Sequence, residues 1–156
     1  MSWNAHFIFA VHALALIAAT GDTPLNSEII AASVNTNAVV IRRILCDLAR
    51  ANLVISQVGA GGGFRLRKMP RAISMLEIYQ ATDSGSVFCM RRRGKKRPSS
   101  QCPVGRNIDS VMRGVHQQAD RAMQGVLSAI TLEDVLHDLK PESEGTRIAG
   151  RFRPPV

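Results

Sequence analysis

The segment from Leu25 to Leu66 constrains this chain more than any other. It reads as a short helix, a tight turn, a second helix with adjacent arginines, and a glycine-rich hairpin flanked by further arginines. Asn26 is a plausible N-cap for the first of these helices, about Ser27 to Ser33, where Ile29, Ile30 and Val34 face inward. Asn35-Thr36-Asn37 forms the turn, and Asn37 is placed to cap a helix from about Ala38 to Ala51. In that helix Val40, Ile41, Ile44, Leu45 and Leu48 keep the three-four spacing of a core face, while Arg42, Arg43, Asp47 and Arg50 fall largely on other faces. Asn52 tolerates the left-handed backbone that closes a helix. Leu53 to Ser56 and Phe64 to Leu66 then read as strands around Gly59-Ala60-Gly61-Gly62-Gly63, a tip whose glycines accept positive φ. That order predicts a winged helix-turn-helix, which presents one helix to a DNA major groove and a hairpin beside it.

The charge balance agrees with a polyanionic partner. There are 20 Lys and Arg against 12 Asp and Glu, a formal charge of +8, and each phosphate neutralised by a cation releases condensed counterions. With 46% apolar but only 4% aromatic residues, the core is built from Ala, Val, Leu, Ile and Met, a composition that favours helices. Three cysteines, an odd number, do not suggest a disulfide scaffold. The apolar stretch Phe7 to Ala19 lacks a preceding cationic region, carries His12, and is too short to span a bilayer. It reads as a buried helix, about Asn4 to Ala19, ended by Thr20-Gly21-Asp22-Thr23-Pro24; cytoplasm is the expected compartment, with no membrane partner.

Beyond the hairpin, Ser74-Met75-Leu76-Glu77 is a capping box that starts a helix running to about Thr82. Residues 83–105 read as a basic loop containing Arg91, Arg92, Arg93, Lys95, Lys96 and Arg97. A long helix follows, about Arg106 to Ala129. Its apolar stripe includes Val111, Met112, Val115, Ala119, Ala122 and Val126, more than a small domain needs for its own core, so the expectation is a pairing surface. Thr131 caps a last helix, Leu132 to Leu139, and residues 140–156 are polar and proline-bearing, an expected disordered tail. The expected organisation is a winged helix-turn-helix domain over 1–82, the loop, a dimerisation helix with the short last helix over 106–139, and the tail. The fold class is mostly α with a small β-hairpin wing.

Arg42 and Arg43 present guanidinium forks that suit guanine edges or phosphates. Arg65, Arg67 and Lys68 are placed to grip phosphates from the wing. The glycine run lacks a following Gly-Lys-Ser/Thr and precedes a strand, which argues against a nucleotide cradle. Cys46 reads as a small buried side chain. Cys89 and Cys102 bracket the basic loop with twelve residues between them, too far apart for the usual metal-ligand pairs. Nearby cations would favour their thiolates, so these two are the candidate redox-sensing residues. His6, His12, His116 and His137 are dispersed, and no motif points to catalysis, so no enzyme is expected.

Four ordered blocks carry a resemblance to a known family. Val34 to Arg43 with Leu53-Val54, the wing Gly59 to Leu66, the helix Ile73 to Ala81, and Cys102-Pro103-Val104-Gly105-Arg106-Asn107-Ile108 resemble the Rrf-two family of bacterial winged-helix regulators. The Asn35-Thr36-Asn37 turn and the Cys-Pro-Val-Gly run together are similar to its YwnA-like branch. The likeness spans roughly Ser2 to Leu139. It implies a homodimer that binds double-stranded DNA at a near-palindromic operator, usually as a repressor. Carried over by position, Thr36, Asn37, Arg42 and Arg43 are the implied base or phosphate contacts. Relatives also hold an iron–sulfur cluster on three closely spaced cysteines. Here only Cys89 and Cys102 lie in that region, so no cofactor is expected, and an oxidant or small-molecule effector is. Ala38 stands where this branch commonly has proline. The competing expectation is a winged-helix module for protein assembly, which would expose apolar positions on the arginine-bearing helix instead of gathering Arg42, Arg43, Arg65 and Arg67 on one surface.

Overall fold

The computed structural model describes residues 5–59, 61–82, 99 and 101–139. The chain divides into two units, one made of residues 1–84 with 128–156 and one of residues 85–127. The first contains α1 (Ala5–Ala19), α2 (Ser27–Val34), α3 (Ala38–Arg50), β1 (Val54–Gln57), β2 (Gly63–Leu66), a 3-10 turn (Pro70–Ala72), α4 (Met75–Thr82) and α6 (Leu132–Asp138). The long helix α5 (Pro103–Ala129) makes up the described part of the second unit and re-enters the first at its last residues.

Helix α1 is apolar all round, which is stable only if neighbours cover it. Ala10, Ala13, Leu14 and Ile17 are fully enclosed, against α2, α3, α4, β2 and α6, while Ile8 stays half exposed. Its small alanines allow close approach of helix backbones. Phe7 meets Tyr79 of α4 edge-on, with ring centroids 5.6 Å apart. Ile41, Ile44, Leu45 and Leu48 of α3 and Ile30 of α2 complete the core, with Leu53, Ile73, Ile78 and Leu132.

The end signals read in the sequence are used. Asn26 accepts from the Ile29 N–H at 2.8 Å. Ser74 and Glu77 form the reciprocal capping box, at 3.0 Å and 3.2 Å. Thr131 and Asp134 form a second one, and Asn52 takes φ 59°. The two strands pair antiparallel in the register Val54–Leu66, Ile55–Arg65, Ser56–Phe64 and Gln57–Gly63. Three differences stand out. The 3-10 turn at Pro70 was not foreseen. Helix α5 begins at Pro103, because proline suits the first helical position. Helix α6 belongs with the first unit: Leu132 is fully buried, and backbone bonds Met75 N to Ile130 O and Leu132 N to Ile73 O, both 2.8 Å, tie its approach to the start of α4. The basic run Arg91 to Arg97, Cys89 and the expected tail lie outside the described residues.

Candidate nucleic-acid interface

The turn between α2 and α3 is made by a left-handed residue. Asn35 takes φ 58°, a conformation asparagine accepts more readily than most residues. Its own N–H bonds Ala32 O at 3.3 Å, and the next N–H, from Thr36, reaches back to Ala31 O at 3.0 Å. Asn37 then starts α3, its Oδ1 accepting the Val39 N–H at 2.8 Å. The result is a 112° change of direction between α2 and α3, within the range of a helix-turn-helix. The cap also limits Asn37 as a reader. Its oxygen gives one of two lone pairs to the cap, which fixes how the side chain is presented, while the second lone pair and the amide N–H groups remain available. Thr36 is half-buried and Asn37 exposed.

The core face of α3 leaves an outward stripe of Val39, Arg42, Arg43, Cys46 and Arg50, all exposed. The arginines differ in what holds them. Arg42 donates through Nη2 to Glu28 Oε1 at 2.5 Å and through Nε to Ser27 Oγ at 3.2 Å. The hydrogen bond from Arg42 is the largest of the influences holding the Glu28 carboxyl below the usual carboxylate range. Arg50 pairs with Asp47 one turn back, at 2.8 Å. Arg43 makes no hydrogen bond or ion pair among the described residues. One helix face thus carries one guanidinium turned toward α2, one toward its own helix, and one unengaged.

Cys46 is a correction. The expected small buried side chain is exposed on this stripe. Helical phase explains it, since 46 falls with 39, 42, 43 and 50, opposite the buried 41, 44, 45 and 48. Val39 was also passed over. It is 65% exposed, and the available signal was an apolar residue out of phase with the core face.

In the wing, Arg65 folds back rather than outward. Nη2 donates to Gln57 Oε1 at 3.0 Å and Nη1 to Asp22 O at 3.5 Å, and its Nε is buried with no partner among the described residues. Arg67 is exposed; its backbone N–H bonds Leu53 O at 3.0 Å, while its side chain has no partner among the described residues. Lys68 donates to Glu77 Oε1 at 2.6 Å, which takes one of the three ammonium donors. The tip is anchored from below. Phe64 and Leu25 exchange both backbone bonds, at 2.8 Å and 3.1 Å, and Gly63 packs so closely there that a Cβ would lie 2.5 Å from Leu25 O. Val58, at the tip, is 95% exposed.

Cys102 is exposed, and its carbonyl accepts the Arg106 N–H at 2.9 Å in the first turn of α5. No residue of α5 is buried. Val104, Ile108, Val111 and Val115 are exposed at successive spacings of four, three and four, and Val126, eleven residues further on, is exposed as well. Met112, Ala119, Met123 and Leu127 are half-buried, so the stripe expected as one surface divides into two faces. Among the described residues no group of three or more His, Cys, Asp or Glu could hold a metal, and no single helix is long and apolar enough to cross a membrane.

Comparison with known proteins places these features. Residues 3–138 match the family model Rrf2, described as an iron-dependent transcriptional regulator. YwnA of Bacillus subtilis (strain 168), named as an HTH-type transcriptional regulator, is 36% identical over 137 residues, covering 87% of this chain and 98% of that one. A crystal structure of a protein described as DNA binding superposes with a TM-score of 0.67 at 37% identity, over 84% of this chain and 98% of the other. A transcriptional regulator from Lactobacillus plantarum gives 0.75 at 26% identity, over 86% and 89%. The match covers both units, the turn, the wing and the long helix. The chain therefore belongs to the Rrf2 family and is a winged-helix DNA-binding transcriptional regulator, not an enzyme.

Proposed function

We propose that the protein acts as a homodimer on a near-palindromic operator, as a repressor, in the cytoplasm. The observation that supports this most directly is the seam on α5. Val104, Ile108, Val111 and Val115 alternate at four and three residues and are all exposed, at 69%, 37%, 59% and 52%. Four large apolar side chains on one stripe of a helix with no buried residue call for a partner surface. A second copy of the same helix supplies it in the geometry of a left-handed coiled coil. A two-fold axis through that pair repeats α3, which matches two half-sites about one helical turn apart. The repressor role is carried over from the family resemblance, and it requires an operator that overlaps a promoter so that the bound dimer excludes polymerase.

The family description names iron, and the residues here do not fit a three-thiolate cluster. The chain has three cysteines, and one of them, Cys46, lies on the outward stripe of α3. That leaves Cys89 and Cys102, and we draw no step through a cluster. Thiol sensing of an oxidant through Cys89 or Cys102, the latter exposed at the head of α5, or response to a small molecule, is the proposed regulation.

Sedimentation of the wild type and of Val115→Glu tests the assembly. The wild type should sediment as a dimer at micromolar concentration. The variant should sediment as a monomer and lose most of its operator affinity, since one half-site alone must hold it. A wild-type monomer, or a monomeric variant with full operator affinity, overturns the proposal.

A further inference from the structure

Val39 is an odd residue for its place. It lies in the first turn of α3, 65% exposed, where the fold gains nothing from an apolar side chain. Valine is also a poorer helix former than alanine or the long polar residues, because its branched Cβ crowds the preceding turn. The same branching makes it rigid: in a helix one χ1 rotamer dominates, so both methyls point in a fixed direction without entropy lost on contact. Its neighbours sharpen the point. Asn37 Oδ1 accepts the Val39 N–H, and Arg42 is tied to Glu28 and Ser27. On the leading turn and a half of α3, the exposed groups without a polar partner among the described residues are an apolar Val39 and, one turn on along the same face, the cation Arg43.

The major-groove edge of B-DNA carries one apolar group, the C5-methyl of thymine. We propose that Val39 is a specificity-determining residue that packs its methyls on the C5-methyl of one thymine in each half-site. The proposal rests on the DNA-reading role of α3 described above. Arg43 follows Val39 by four residues, about 6 Å along the helix axis, so the thymine lies within about two base-pair steps of whatever Arg43 contacts. The contact is worth roughly one buried methyl group, or about four-fold in affinity. It requires no change in any hydrogen bond of the α2–α3 turn.

The test removes the methyl from either side. Operators are first selected from a random duplex library with the full-length protein. In the strongest operator each thymine is replaced singly by deoxyuridine, which lacks the C5-methyl but pairs identically. For the wild type, one thymine per half-site should show about four-fold weaker binding on replacement. For Val39→Ala, which removes the contact from both half-sites of the dimer, affinity for the parent operator should fall by about the square of that factor, roughly sixteen-fold, and the same replacement should then have no effect. Val39→Thr, which keeps the branched shape but exchanges one methyl for a hydroxyl, should fall between them. Equal thermal unfolding of the three proteins shows that the change is local. If no thymine is sensitive in the wild type, or if Val39→Ala remains equally sensitive, Val39 does not read a methyl, while the regulator reading stands. If selection enriches no sequence at all, the sequence-specific reading of α3 fails and this inference fails with it.

Discussion

The Arg42 guanidinium and the Glu28 carboxylate join α3 to α2 across the turn, Nη2 to Oε1 at 2.5 Å, and both side chains remain more than half exposed. In that exposure the pair adds little to stability. Its effect is directional. It turns the Arg42 fork toward α2 and puts a negative charge beside the proposed DNA-facing stripe of α3. Glu28→Gln should leave thermal unfolding nearly unchanged, raise affinity for non-specific DNA about two- to five-fold, and reduce discrimination for the operator. The pH dependence follows from the lowered carboxyl. Its folded value lies below the ordinary 4.5, so the tie is fully formed above that pH and is lost as pH falls through the folded value. Carbon-detected NMR titration of the Glu28 carboxyl checks it, and a carboxyl titrating at or above the ordinary value contradicts it.

Arg43 and Arg67 are the two cations of the α3 stripe and the wing without partners among the described residues, and they should fail differently. Arg43→Ala should cost about 1–3 kcal/mol at the operator and less elsewhere, if its fork reads a base. Arg67→Ala should weaken operator and non-specific DNA alike and lower the salt slope by about one. Mobility shifts at several salt concentrations separate the two patterns. Identical losses for both variants would deny Arg43 a reading role.

Gly63 is where the wing touches the rest of its unit. A methyl there would lie 2.5 Å from Leu25 O, within a strand pair that cannot separate without losing the Phe64–Leu25 bonds. Gly63→Ala should destabilise the fold by about 1–3 kcal/mol and weaken DNA binding beyond that loss by displacing the hairpin. Urea unfolding and operator titration of the same preparation measure both. Wild-type stability in Gly63→Ala would show that the strand gives way at no cost.

Cys46 supplies a chemical footprint of the reading face. Its thiol is exposed on the outward stripe of α3, so maleimide should label it in free protein. Saturating operator should slow that labelling about ten-fold or more, because dissociation must come first, and prior labelling should abolish operator binding. Cys89→Ser and Cys102→Ser in the same chain confine the signal to Cys46. Equal labelling with and without operator would place the DNA elsewhere.

The reading unit was legible because its signals are local. Asn26, Asn37, Asn52, Ser74 and Thr131 are end markers whose partners lie within a few residues, and the 41-44-45-48 spacing belongs to a single helix. Most of what the sequence leaves unread depends on contacts between distant segments; Cys46 is the exception, because its exposure follows from phase within one helix. Nothing near Cys46 in sequence marks it as exposed except its phase. The Lys68–Glu77 pair joins residues nine apart, one following β2 and one on α4, which no local spacing announces. The grouping of α6 with the first unit rests on Leu132 meeting a core assembled from four other helices. The 3-10 turn arises where Pro70 removes a donor between wing and α4, a position whose geometry the sequence alone leaves open.

The hydrogen bonds from Met75 N–H to Ile130 O and from Leu132 N–H to Ile73 O make the DNA-binding unit discontinuous along the chain. During synthesis α1 to α4 leave the ribosome without Leu132, and their core stays open until α6 emerges. By then all of α5 has been made. In the proposed dimer, the α5 seam is therefore made before the DNA-binding unit is complete, so that pairing and completion of that unit become concurrent steps, and a chain ending before residue 132 keeps the proposed seam but lacks the Leu132 contribution to the core.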